Sequence, residues 1–174
     1  MAWVIPTGIS LRGKGKLLPC TYLLAETSAL AENLVFDHYR LSQKILKQIQ
    51  YEVRFLRDSW PFPEEALAVL VKAHNQADAP STQREFYYIF FPYGRPLPLG
   101  RAFLPALMLY IFTHELVHMV RFALYEASYF AGKEKRELEE KRVHAKTREI
   151  LKPVAFIPGL PETLEYFEKN HQRR

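Results

Sequence analysis

The sequence predicts a mainly helical α+β domain, on three observations. Apolar residues recur at three- and four-residue spacing over several long stretches, the period of amphipathic helices. Phe86-Tyr-Tyr-Ile-Phe-Phe91 is an unbroken run of aromatic and β-branched residues, the composition of a strand. The chain has 174 residues, 48% of them hydrophobic, enough for one ordinary core and too few for two comfortable ones. Residues 1–174 are therefore expected to form a single domain.

Taken in order, the opening Trp3-Val-Ile-Pro and the Gly- and Lys-rich stretch Gly8 to Leu18 read as loop with at most a short strand. From about Ser28 to Asp58, Leu34, Tyr39 or Leu41, Ile45, Ile49, Val53 and Leu56 repeat at helical spacing. Trp60-Pro-Phe-Pro stops that pattern. Pro63, with Glu64 and Glu65 behind it, suits the first turn of a second helix to about His74, turning Leu67, Leu70 and Val71 inward. A polar break follows, then the strand at Phe86 to Phe91 and a Pro/Gly loop over Pro92 to Gly100. A long apolar helix is expected from Arg101 to Ala131, stopped by Gly132. A charged helix should run from Lys133 to Leu151, ended by Pro153, and a short one from Glu162 to Glu168 closes the chain.

Composition removes several function classes. The balance of 24 Lys+Arg against 19 Asp+Glu gives +5, and no Lys/Arg stripe alternates with exposed aromatics, so nucleic acid is not an expected partner. Cys20 is the only cysteine, which excludes an intramolecular disulfide and a cysteine-based zinc site. The opening residues lack a charged region followed by a long apolar run, so a cytoplasmic location is expected. Ala102 to Val120 approaches the length of a membrane span. His114, Glu115 and His118 within it favour a buried helix over a lipid-facing one.

Those three residues carry the chemistry. His114-Glu-Leu-Val-His118 places two imidazoles four apart on a predicted helix, on one face and one turn apart, where one metal ion can meet both. Two histidines and a carboxylate amid apolar neighbours are costly unless paired or metal-bound. A zinc ion with three protein ligands keeps a position for water and lowers its pKa towards about 7. Glu115, beside the ligands, is then the expected general base in peptide hydrolysis. A third ligand is needed. The following charged helix offers Glu137, Glu139, Glu140 and His144. A di-iron carboxylate bundle would need two Glu-x-x-His units on helices, and Glu115-Leu-Val-His118 is the one that lies within a predicted helix.

The motif, followed by Glu140 on the next predicted helix, resembles the gluzincin class of zinc metallopeptidases, which includes thermolysin-like enzymes and the small minigluzincins. That resemblance implies a zincin-like domain with an HExxH helix and one zinc ion on His114, His118 and Glu140. In the class the third ligand opens a Glu-x-x-Ala-Asp or Glu-x-x-Ala-Asn pattern. Glu140-Lys-Arg-Val-His144 is similar, with His144 where the family keeps the residue that orients a zinc-bound histidine. The strand Phe86 to Phe91 resembles the edge strand along which such enzymes lay an extended substrate. On this reading residues 85–152 form the zincin-like core, residues 1–84 a helical part without a family counterpart, and residues 153–174 a C-terminal tail. That hydrophobic, Pro-bounded tail could fold over the cleft.

His144, Tyr125, Tyr129 and Arg148 are the candidates to support the ligands or steady an oxyanion. His38 and His74 read as surface or half-buried helix histidines, His171 as a solvated tail residue, and Cys20 as no nucleophile. The sequence thus leads to a zinc-dependent metallopeptidase acting on a peptide or protein. The alternative is a catalytically inactive zincin-like metal-binding protein with a regulatory or partner-binding role.

Overall fold

The structure, a computed structural model, describes residues 18–56, 61–63, 66–73, 85–93 and 98–171. It is mainly helical with one small mixed sheet. The elements are α1 (Leu18–Tyr39), α2 (Gln43–Gln48), β1 (Ile49–Leu56), β2 (Val69–Lys72), β3 (Glu85–Pro92), α3 (Leu104–Ala123), α4 (Lys133–Leu151) and α5 (Leu160–His171). A 3₁₀ turn, Arg101–Phe103, leads into α3, and another, Lys152–Val154, follows α4. The chain divides into two compact units. One comprises Leu41–Arg95 and Met119–Phe130, and the other Gly13–Arg40, Pro96–His118 and Ala131–Arg174.

The first unit holds the sheet, in the order β1-β3-β2. β3 runs parallel to β1, with Ile49 opposite Glu85 and Leu56 opposite Pro92, and antiparallel to β2, with Val69 opposite Phe90. The strand expected at Phe86 to Phe91 is present, but it is the central strand rather than an edge. Both of its backbone edges are already paired, so the expected laying of a substrate along it is corrected. Along it Tyr87 and Ile89 are buried and Phe86 and Tyr88 half-buried, an alternation that gives way to burial of both Phe90 and Phe91.

Two further expectations fail in this unit. The helix predicted to Asp58 ends as α1 at Tyr39, resumes briefly as α2, and gives way to β1. Ile49, Val53 and Leu56 fit helical spacing, but Ile49, Tyr51, Val53 and Phe55 also alternate with Gln50, Glu52 and Arg54. Pairing with β3 selects that second period. Period two also brings Glu52 and Arg54 to one face, where they pair at 2.9 Å. The helix predicted from Pro63 to His74 is replaced by β2, because Val69 and Val71 are β-branched and their backbone completes the other side of β3.

Also in this unit, α3 stops at Ala123 and not at Ala131. Tyr125 takes φ 58°. The Glu126 N–H donates to the Arg121 carbonyl at 2.9 Å, and the Tyr125 N–H to the Phe122 carbonyl at 3.1 Å. This is a Schellman cap with tyrosine at the left-handed position where glycine is usual, so no glycine signalled the stop.

In the second unit the length of α4 is as expected, and α5 is longer than expected at both ends. Its core takes Ala31 and Val35 from α1, the run Ala106 to Thr113 from α3, Val143, Thr147 and Ile150 from α4, and Leu160 and Thr163 from α5. A helix buried all round needs apolar residues all round, which is why this part of α3 shows no polar stripe. Arg101–Ala123 is long and apolar enough to cross a bilayer, and 78% of its most apolar window is buried within the protein. Cys20 lies in α1, and His38 faces Glu149 at 3.6 Å. His171 is the last residue of α5. The readings of Trp3-Val-Ile-Pro and of His74 fall outside the described residues, as does that of Gly8 to Leu18 except for Leu18, which opens α1.

Candidate metal centre

His114 and His118 sit one turn apart on α3, and Glu140 projects from α4 within the same unit. Helical periodicity aligns the two imidazoles, with ring centroids 4.9 Å apart and planes at 79°. Nε2 of His114 is 3.4 Å from Oε2 of Glu140, and Nε2 of His118 is 3.1 Å from Oε1. One ligand atom from each of the three residues lies within 4.8 Å of the other two. The His114 and His118 side chains are 12% and 9% exposed and that of Glu140 is 35% exposed, so access from solvent is on the carboxylate side.

The chemistry of this donor set fits a metal ion. Two ligands bound at about 2.0–2.1 Å to one tetrahedral metal stand about 3.3 Å apart. The observed separations of 3.1 and 3.4 Å bracket that value. His114, His118 and Glu140 are therefore the residues that could hold one ion. Of the other α4 candidates, Glu137 is exposed and faces Lys133 at 3.9 Å, and Glu139 is buried one position from Glu140. His144 lies one turn beyond Glu140.

Burial and charge set the electrostatics. Burial of the Glu140 carboxyl favours its neutral form, but His118 and His114 outweigh this by charge and hydrogen bonding and hold it below the ordinary carboxylate range. Burial of His118 disfavours its charge, and Glu140 overrides that, leaving its pKa raised. Glu115 is buried, which raises its pKa against the opposing pull of His114 and His118.

One further residue, absent from the sequence reading, completes the surroundings. Tyr110 is one turn before His114 on the same face of α3 and is buried. Its hydroxyl is 2.6 Å from Nδ1 of His144. Burial, and secondarily the Glu140 charge, push its pKa far above the ordinary phenol value, so it keeps its proton. The Tyr110 ring lies nearly parallel to His114 with centroids 6.2 Å apart, and the His144 ring tilts against His114 at 4.5 Å. From α5, Phe167 stacks face to face on Tyr110, so the C-terminal tail does reach the surroundings of the centre. The four-residue spacing of Tyr110, His114 and His118 was the available signal for Tyr110. Nothing local signalled Phe167.

The remaining sequence candidates lie elsewhere. Tyr125 is 93% exposed in the turn after α3. Tyr129 packs edge-on against Phe122 and Phe130, and both tyrosines belong to the sheet-containing unit. Arg148 is exposed and pairs with Glu168 at 2.5 Å. His144 alone of these four shares ring contacts with a candidate ligand. Comparison with known proteins names no family for this centre: no family model, no curated protein and no solved structure matches the chain.

Proposed function

We propose that the chain is a zinc-dependent metallopeptidase of gluzincin type. The observation that carries the proposal is the convergence of His114, His118 and Glu140 from two helices, with Glu115 buried between the two histidines in sequence. Two imidazoles and one carboxylate suit zinc better than magnesium or calcium, which prefer all-oxygen sets. Three protein ligands, rather than four, are the mark of a catalytic zinc site. Zinc bound there supplies a Lewis acid that polarises a carbonyl and makes water acidic near neutral pH.

The chain's own residues do the rest. His114, His118 and Glu140 hold the ion. Glu115 accepts the proton of the water that attacks the peptide carbonyl and returns it to the departing amine. The exposed side of Glu140 is where a peptide reaches the centre.

A second reading, an inactive zincin-like metal-binding protein, is favoured by one observation. Position 144 carries a histidine bonded to Tyr110 rather than the acid or amide of the resembled pattern. Elemental analysis of wild type beside His118→Ala, followed by cleavage of unstructured peptides, separates the readings. Near-stoichiometric zinc lost in the variant, with peptidase activity, supports the enzyme. Zinc without activity supports the second reading. No zinc in the wild type after loading sinks both.

A further inference from the structure

The pairing of the buried Tyr110 with the half-buried His144 has no part in the chemistry assigned to Glu115 and the three candidate ligands. Among the described residues, the Tyr110 hydroxyl has this one polar contact, at 2.6 Å from Nδ1 of His144. A phenol carries a single hydrogen. If His144 were the donor, that hydrogen would be left buried without an acceptor, a costly arrangement. This favours Tyr110 as donor and Nδ1 of His144 as acceptor, with the ring hydrogen of His144 on Nε2.

This bond joins two helices at a fixed register. Tyr110 precedes His114 by one turn on α3, and His144 follows Glu140 by one turn on α4. The bond thus lies one turn from a ligand on each helix. Around it, Phe167 stacks on the Tyr110 ring, with centroids 3.9 Å apart and planes 3° from parallel. The His144 ring, held at Nδ1, leans on His114 at 4.5 Å and 48°. On His114 itself, Nδ1 is buried with no hydrogen-bond partner among the described residues. The hydrogen bond that usually orients a metal-binding imidazole is not what fixes this ring.

We propose that Tyr110 and His144 form a positioning pair that orients His114 and keeps Glu140 opposite it. Ring packing, locked by one inter-helix hydrogen bond, takes the place of an acceptor on His114. Tyr110 and His144 are positioning residues: neither holds the ion nor exchanges a proton with substrate. The inference rests on the zinc reading given above.

The test uses the full chain as wild type, Tyr110→Phe, His144→Leu and His144→Asn. Tyr110→Phe keeps the ring that stacks on Phe167 and removes only the hydroxyl. His144→Asn keeps an acceptor near the Nδ1 position, and His144→Leu removes it. Zinc affinity is measured by competition with a chromogenic chelator, and the visible spectrum of the cobalt-loaded protein reports ligand geometry. Nitrogen NMR of the metal-free protein reads the His144 tautomer, which needs no metal. The wild type should show His144 as a single Nε2–H tautomer. Tyr110→Phe and His144→Leu should weaken zinc binding about 10- to 100-fold, the range for partners one step removed from a metal. Both should alter the cobalt spectrum, and His144→Asn should recover most of the loss.

Wild-type zinc affinity in both Tyr110→Phe and His144→Leu would overturn the pair and leave the zinc site standing. A tautomer unchanged in Tyr110→Phe would overturn it independently. A wild type that takes up no zinc would overturn the metallopeptidase reading together with this inference, and the fault would show in the unmodified protein.

Discussion

Oε1 of Glu140 stands 3.1 Å from Nε2 of His118, although the two residues come from different helices joined through a turn. The charge of this carboxylate, and not only its shape, is what a divalent ion would use. Glu140→Gln keeps the shape and removes the charge. It should weaken zinc binding by more than about 100-fold, beyond the range for outer partners of a metal. Equilibrium dialysis against zinc checks this, and wild-type affinity in Glu140→Gln would exclude Glu140 as a ligand.

Glu115 separates binding from catalysis. Glu115→Gln should retain zinc at wild-type stoichiometry and lose about 100- to 10,000-fold in kcat, the usual contribution of a general base. Steady-state cleavage of an unstructured fluorogenic peptide, with metal content measured on the same sample, reads both. Equal activity in variant and wild type would remove Glu115 from the mechanism.

Stability should depend on pH in opposite senses with and without metal. In the metal-free protein the raised pKa of His118 gives stability that is fully present below 6.5 and fades as pH rises through the higher folded value. Glu140, held low, gives stability present above 4.5 and lost as pH falls towards its folded value. The raised pKa of Glu115 acts in the same sense as that of His118, since its ionisation on raising the pH disfavours the fold. The chelator-treated protein should therefore lose Tm as pH rises above 6.5. Zinc competes with protons for the same ligands, so the stabilisation it adds should grow over that interval. Thermal melts of both forms across the pH series decide the matter, and a zinc increment in Tm that stays flat would contradict it.

Tyr125 offers a test of the fold away from the centre. Its φ of 58° is a conformation that costs an L-residue about 1–2 kcal/mol and costs glycine little. Tyr125→Gly should raise unfolding stability by up to about 1 kcal/mol after the flexibility of glycine is discounted. Tyr125→Val should lower it by a similar amount, because β-branched residues tolerate this region least. Urea melts of the three proteins compare the midpoints, and identical midpoints would refute a strained cap.

What could be read from the sequence was what local pattern determines. α4 is bounded by Gly132 and Pro153, and the His114–His118 spacing places both rings on one face in any α-helix. The choice among Glu137, Glu139 and Glu140 was of another kind. Neighbouring helix positions differ by about 100° around the axis, so only the packing of α4 against α3 decides which carboxylate meets the histidines. β1 was misread because Ile49 and Val53 satisfy both periods, and the deciding partner, β3, lies about 30 residues further along. Tyr110 and Phe167 are remote in sequence, and their stacking depends on where α5 returns.

Splitting the candidate ligands between α3 and α4 also sets an order of events during synthesis. The two imidazoles leave the ribosome before the carboxylate that faces them does. At about 5–20 residues per second, His118 precedes Glu140 by about one to four seconds. Through that interval the nascent chain can offer a metal only a two-histidine half-site. If the proposed ion binds, its full ligand set forms only after α4 has joined α3, so loading would be a late step in the life of the polypeptide.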